Sequence, residues 1–141
     1  MSIYLDASVL VPLFHEEAST AAVTRLMADQ AQSPIISRFA AGETASAFSR
    51  LWRMALINRE TADAMLAGLD RLIASRAAVP TLHDADIGAA ADLVRRFALK
   101  LRLPDAIHLA VCMRRGLILA TLDDLLADAA RALGVAHIVP A

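Results

Sequence analysis

Leu117-Ile118-Leu119-Ala120 is an unbroken aliphatic run, with Gly116 before it and Thr121-Leu122-Asp123 after it. A run this short, bounded by turn residues, reads as a strand buried on both faces. Ile3-Tyr4-Leu5, ending at Asp6, reads the same way at the start of the chain, and Pro34-Ile35-Ile36-Ser37 supplies another such segment. Between these runs lie stretches with helical periodicity. Alternation of this kind marks an α/β domain built on a parallel sheet.

Working outward, a short helix is expected over Ser8–Phe14 and a longer one over Glu17–Ala31. Phe39–Leu56 is helical, with Glu43 in its first turns. The helix of Thr61–Ala77 places Ala62, Met65, Leu66, Leu69, Leu72 and Ile73 on one stripe. Val79–Leu82 reads as an edge strand, since Pro80 is unwelcome in a central one. The following helix puts Ile87, Ala90, Ala91, Val94, Phe97, Ala98 and Leu101 toward the core. Pro104 opens another helix and Gly116 ends it. Asp124–Leu133 is the last helix, and Ala136–Val139 closes the sheet.

The chain has 141 residues, enough for one domain that buries a sizeable core. With 57% hydrophobic and 21% charged residues it is globular rather than disordered. No apolar run reaches membrane-spanning length, and Met1-Ser2-Ile3-Tyr4-Leu5-Asp6 meets an acid before a signal-peptide core can form. The single cysteine, Cys112, excludes an internal disulfide and a Cys-rich zinc site, and reads as a small buried hydrophobe. A reducing cytoplasm is the expected location. Net charge is −1, so any affinity for nucleic acid must be local. Arg95, Arg96, Lys100, Arg102, Arg114 and Arg115 lie between Leu93 and Leu117, and Arg50, Arg53 and Arg59 form a second basic stretch. Both patterns also suit a solvated helix face.

Four acids stand out. Asp6 follows the first strand and Asp123 follows the Leu117–Ala120 strand by three residues. Ligands in open α/β sheets bind beyond the carboxyl ends of strands, although an Asp there also caps the next helix. Glu43 sits among small and apolar neighbours, beside Gly42, which weakens a helix by about 0.5–1 kcal/mol relative to Ala. Asp105 falls in the first turn of an apolar helix, after Pro104, where the helix dipole favours it. Carboxylates converging on one sheet edge stay ionised together only around a cation. Oxygen donors of this kind suit Mg²⁺ or Mn²⁺, which activate water and neutralise a phosphodiester. Ser8 and Thr121, each two residues from an acid, are placed to hydrogen-bond the carboxylates. His108, three residues after Asp105, faces the same way and reads as packed or solvated rather than substrate-binding.

Tyr4-Leu5-Asp6-Ala7-Ser8-Val9-Leu10-Val11, the isolated Glu43, Leu103-Pro104-Asp105-Ala106-Ile107-His108-Leu109-Ala110 and Leu119-Ala120-Thr121-Leu122-Asp123 together resemble the PIN-domain family, in particular the VapC toxins of bacterial toxin–antitoxin pairs. The resemblance spans almost the whole chain. It implies a single PIN-like domain over residues 1–141, a three-layer α/β/α sandwich around a mostly parallel sheet of four to five strands. It further implies Mg²⁺- or Mn²⁺-dependent RNA cleavage, with Asp6 and Asp105 as principal ligands and Asp123 and Glu43 completing the cluster. Asp124 is the second choice for the fourth acid. A small VapB-like antitoxin and a homodimer are the implied partners, with the stripes of Thr61–Ala77 and Glu17–Ala31 serving either as interfaces or as core.

Two other enzyme classes fit less well. A haloacid-dehalogenase-like phosphatase needs a second Asp two residues after the first, where Ser8 stands. A receiver-type phosphoacceptor needs a lysine after a late strand, and the only lysine is Lys100. The rival from outside catalysis is an interaction module that keeps the fold and binds a partner.

Overall fold

Parallel segments make the centre of the computed structural model, which describes residues 2–141; Met1 lies outside them. Strand β1 (Ile3–Leu5) pairs with β2 (Ile118–Ala120), Leu5 opposite Ala120, and β2 pairs with β3 (His137–Ile138). On the far side of β1, Ile35 bridges Tyr4, and Ala78 bridges Ile35, both in the parallel sense. The sheet thus runs Ala78, Ile35, β1, β2, β3, with Leu5 N–H donating to Ile35 O and Ile36 N–H to Ala78 O, each at 3.0 Å.

Period-2 alternation divides the core between the two faces of this sheet. Tyr4, Ile35 and Leu119 point into one apolar cluster, covered by α5 (Asp84–Val94), α6 (Leu103–Arg115) and α7 (Asp124–Ala132). Ile3, Leu5, Ile36 and Ala120 point into the other, covered by α1 (Ala7–Leu10), α2 (Thr20–Ala28) and α3 (Arg38–Arg53). Helix α4 (Arg59–Arg76) packs Met65 and Leu69 against Phe48 of α3. This is the three-layer α/β/α arrangement expected. The apolar stripes of α2 and α4 are core: Val23, Met27, Ala62, Met65 and Leu69 are buried within the chain itself.

Several boundaries differ from expectation for local reasons. The Ser8–Phe14 helix is α1 followed by a single 3₁₀ turn over Val11–Leu13, because Pro12 has no N–H to offer the carbonyl four residues back. Helix α2 is shorter than Glu17–Ala31, since the Thr20 hydroxyl accepts from Glu17 N–H at 2.9 Å and holds that segment as a turn. The edge pairing falls at Ala78, not Val79–Leu82, and Pro80 prevents it from continuing. Helix α5 ends at Val94 rather than continuing to Leu101. A 3₁₀ turn over Phe97–Leu99 follows, closed by Lys100 in the left-handed region at φ 55°. Phe97, Ala98 and Ala91, expected inside, are exposed. Ser37 and Asn58 cap α3 and α4 by accepting from Ala40 and Thr61 N–H, and Gly116 ends α6 at φ 63°. No described helix is long and apolar enough to cross a membrane.

Helices α5 and α6 are fastened by a pair that local pattern does not reveal. Asp86, only 2% exposed, accepts from Arg114 Nε at 2.7 Å and from its terminal nitrogen at 2.9 Å, and from His83 N–H at 2.8 Å. The Arg114 hydrogen bonds, stronger than the opposing effect of burial, hold the Asp86 carboxyl below its ordinary range. A depressed folded value means the pair adds stability above the ordinary carboxylate range and loses it as pH falls through the folded value. Asp86→Asn is therefore expected to lower Tm by several degrees at pH 7. Thermal melts should show the gap closing below about pH 4.

Candidate active site

All four acids singled out above belong to segments at the carboxyl end of the sheet. Asp6 leaves β1 directly, its N–H donating to Ala120 O at 3.3 Å, so the ends of β1 and β2 are tied side by side. Its side chain is 4% exposed and well partnered. Ser8 Oγ donates to Oδ1 at 2.6 Å, Val9 N–H to the same oxygen at 3.2 Å, and Thr121 Oγ1 to Oδ2 at 2.6 Å. Asp6 therefore caps α1 and also receives the two hydroxyls that flank the strand ends. Burial raises its pKa, and the Ser8 and Thr121 hydrogen bonds oppose that rise.

Asp123 caps α7, its Oδ1 accepting from Leu125 N–H at 2.9 Å and Leu126 N–H at 3.2 Å, while its own N–H donates to Thr121 Oγ1 at 3.0 Å. Thr121 thus links Asp6 and Asp123 through one hydroxyl. Asp124, the second choice for the fourth acid, opens α7 behind that cap. Asp105 lies in the first turn of α6, its side chain 17% exposed, with Arg102 Nε at 3.5 Å. Burial raises its pKa; Arg102 lowers it and the Asp123 charge raises it. Asp105 and Asp123 therefore lie near enough for the charge of one to act on the other.

Glu43 is held differently. It is half-buried, and the space beside Gly42 is open. An open depression lined by Arg38, Phe39, Gly42 and Ser46 leads to its carboxylate. Its Oε1 accepts from His108 Nε2 at 2.5 Å. His108 is 2% exposed, packed between the Phe39 and Tyr4 rings. Its Nδ1 lies 2.6 Å from the Tyr4 hydroxyl, which lies 2.7 Å from Ser37 Oγ. With Nε2 carrying the ring proton, every atom is satisfied in one direction: Ser37 donates to Tyr4, Tyr4 to His108, and His108 to Glu43. Burial pushes the Tyr4 phenol far above its usual range, so it remains a donor at any working pH. The expected packed histidine is thus packed, and it carries a hydrogen bond to one of the acids. The chain of contacts joins residues 33 and 104 apart in sequence, which no local pattern announces. Cys112 is buried, its thiol pushed up to about 12 by burial.

Among the described residues, no three acids, histidines or cysteines are grouped closely enough to share one ion as the side chains stand. The chemistry of the donor set nevertheless fits a hard divalent cation. Every candidate donor is a carboxylate oxygen, and Asp6 and Asp105 are desolvated acids whose partners are two hydroxyls, the Val9 amide and one exposed arginine. A raised folded pKa removes stability as pH rises through the folded value. Without divalent ions, Asp105→Asn is expected to raise Tm at pH 7, and differential scanning calorimetry should find the gain gone below about pH 4, where the acid is protonated folded or unfolded.

Structural comparison places this arrangement among known folds. The chain superposes on VapC20 of Mycobacterium tuberculosis, described as a sarcin-ricin loop cleaving toxin, with a TM-score of 0.76 at 24% identity, covering 99% of this chain and 100% of that one. FitAcB from Neisseria gonorrhoeae gives a TM-score of 0.73 at 17% identity, covering 98% and 97%. VapBC2 from Rickettsia felis, solved with a DNA fragment from its promoter, gives 0.69 at 14% identity, covering 98% of each chain. No curated protein matches by sequence. The PIN domain family model matches residues 3–132, from β1 through the end of α7, and the chain belongs to the PIN domain family.

Proposed function

We propose that this protein is a Mg²⁺- or Mn²⁺-dependent endoribonuclease, the toxin of a VapBC-type pair, working in the cytoplasm as a single domain. The observation that carries the reading is the pair of desolvated carboxylates, Asp6 and Asp105, with Asp123 tied to Asp6 through Thr121 and its charge acting on Asp105. Asp6 and Asp105 would be the principal ligands, with Asp123 and Glu43 completing the set. A bound divalent ion would acidify a water and neutralise charge on the scissile phosphodiester. The chain's own residues do the positioning. Ser8 and Thr121 fix both oxygens of Asp6, and Thr121 also fixes the backbone of Asp123. His108 holds the Glu43 carboxylate by a hydrogen bond. The likeness to VapC20 supports RNA as substrate, and the likeness to VapBC2 supports a VapB-like antitoxin as partner. A homodimer is the assembly that the family resemblance implies.

One observation favours a second reading, a PIN-fold module that binds a partner without cleaving. Asp6 and Asp123 cap helices and Glu43 is tied to His108, so three of the acids have structural partners. Cleavage assays separate the two. Asp6→Asn and Asp105→Asn are each expected to reduce Mn²⁺-dependent RNA cleavage by more than about a hundredfold with circular dichroism unchanged, and Ser8→Ala by roughly 10–100-fold. Wild-type rates in both Asn variants, or cleavage that persists in EDTA, would sink the reading of a metal-dependent nuclease at these acids.

A further inference from the structure

Phe97 is 86% exposed, more than any other large apolar side chain described. It stands in Arg95-Arg96-Phe97-Ala98-Leu99-Lys100-Leu101-Arg102, a segment with four cations and no acid. All four cations are exposed. Among the described residues Arg95, Arg96 and Lys100 form no ion pair, and Arg102 meets only Asp105. Exposed apolar residues are common singly, and the ring alone would mean little. The exposed Trp52 already has the Arg59 guanidinium over it at 6.0 Å, whereas no described ring or guanidinium stacks on Phe97.

The outward display is built into the backbone. Leu101 is buried and Leu99 packs against the core shared by α5, α6 and α7, so the turn is pinned from below. Lys100 takes the left-handed conformation, which L residues adopt at a cost and which persists where the surroundings impose it. The segment ends at Arg102, beside Asp105, and the five residues of chain from Phe97 to Arg102 span at most about 18 Å.

We propose that Phe97, with Arg95, Arg96, Lys100 and Arg102, forms the platform on which single-stranded RNA stacks a base and neutralises its phosphates on the way into the acid site. The proposal rests on the nuclease reading above. An aromatic face set among free cations is the arrangement single strands bind, because every base has a stacking face and every linkage a negative charge. This chain has particular need of it: the net charge is −1, and the acids repel phosphate at close range. A second copy of the same surface is a poor occupant, since a symmetric contact brings arginine onto arginine.

The test uses the whole chain and a fluorescein-labelled oligouridylate of about twelve nucleotides, with binding read by anisotropy in EDTA so that no cleavage occurs. Phe97→Ala should weaken Kd by about fivefold to a hundredfold without moving Tm; Phe97→Trp should restore it and Phe97→Leu should not. Arg95→Ala/Arg96→Ala should flatten the slope of log Kd against log salt by about 1.4. With Mn²⁺, Phe97→Ala should raise KM and leave kcat unchanged. If wild type cleaves RNA and Phe97→Ala binds and cleaves equally well, the platform is wrong and the nuclease reading stands. If Phe97→Ala leaves RNA binding intact but changes the oligomeric state in sedimentation, the surface is a protein interface and the proposal fails. If wild type neither binds nor cleaves, both readings fall.

Discussion

The Thr121 hydroxyl donates to Asp6 Oδ2 while accepting from Asp123 N–H, and much of this molecule is arranged around that one oxygen. It ties the end of β1 to the segment that follows β2, and it sets two acids from distant parts of the chain at one sheet edge. The tie needs β1 and β2 in parallel register, with Leu5 opposite Ala120. It also needs both sheet faces covered, which the two apolar clusters supply. A buried carboxylate is tolerated only when hydrogen-bonded, and Asp6 accepts from a serine, a threonine and a backbone amide. Even so, burial prevails and its pKa stays raised. A cation beside this carboxylate would favour its ionised form.

Glu43 shows the complementary solution. Its carboxylate is half in water, and its position is enforced from behind by His108, Tyr4 and Ser37. Ser37 caps α3, the helix that carries Glu43, and accepts from Ala40 N–H at 3.0 Å. The same hydroxyl thus starts the helix and anchors the far end of the hydrogen-bonded chain. Helix geometry and acid placement are coupled through one serine. Asp105 is coupled less tightly, to an exposed arginine and to the charge of Asp123.

What could be read in the sequence was what is local. Ile3–Leu5 and Leu117–Ala120 declared themselves as apolar runs, Pro104 and Gly116 bracketed α6, and Asp6 and Asp123 were visible as acids after strands. Long-range pairs were not. Asp86 and Arg114 lie 28 residues apart, and nothing in either neighbourhood signals that α5 and α6 bring them together. Phe97 was placed inward because the 3.6-residue pattern continues past Val94 with no Gly or Pro to stop it. The chain leaves the helix anyway; Leu101 is still buried as expected, and Leu99 packs inward in place of Phe97. Gly42 beside Glu43 can mark either a close approach or an open surface, and its Cβ direction is open. A small residue in a helix admits both outcomes, and only the neighbouring elements decide between them.

If these acids form a cation site, as proposed, a bound divalent ion should stabilise the fold through them. Calorimetric titration with Mn²⁺, compared with the shift in Tm, addresses it directly. Wild type should bind Mn²⁺ and gain stability. Asp6→Asn and Asp105→Asn should lose both effects and Glu43→Gln should weaken them, while Asp128→Asn, an exposed acid paired with Arg131, should behave as wild type. Equal Mn²⁺ affinity and equal shifts in all of these variants would contradict the account.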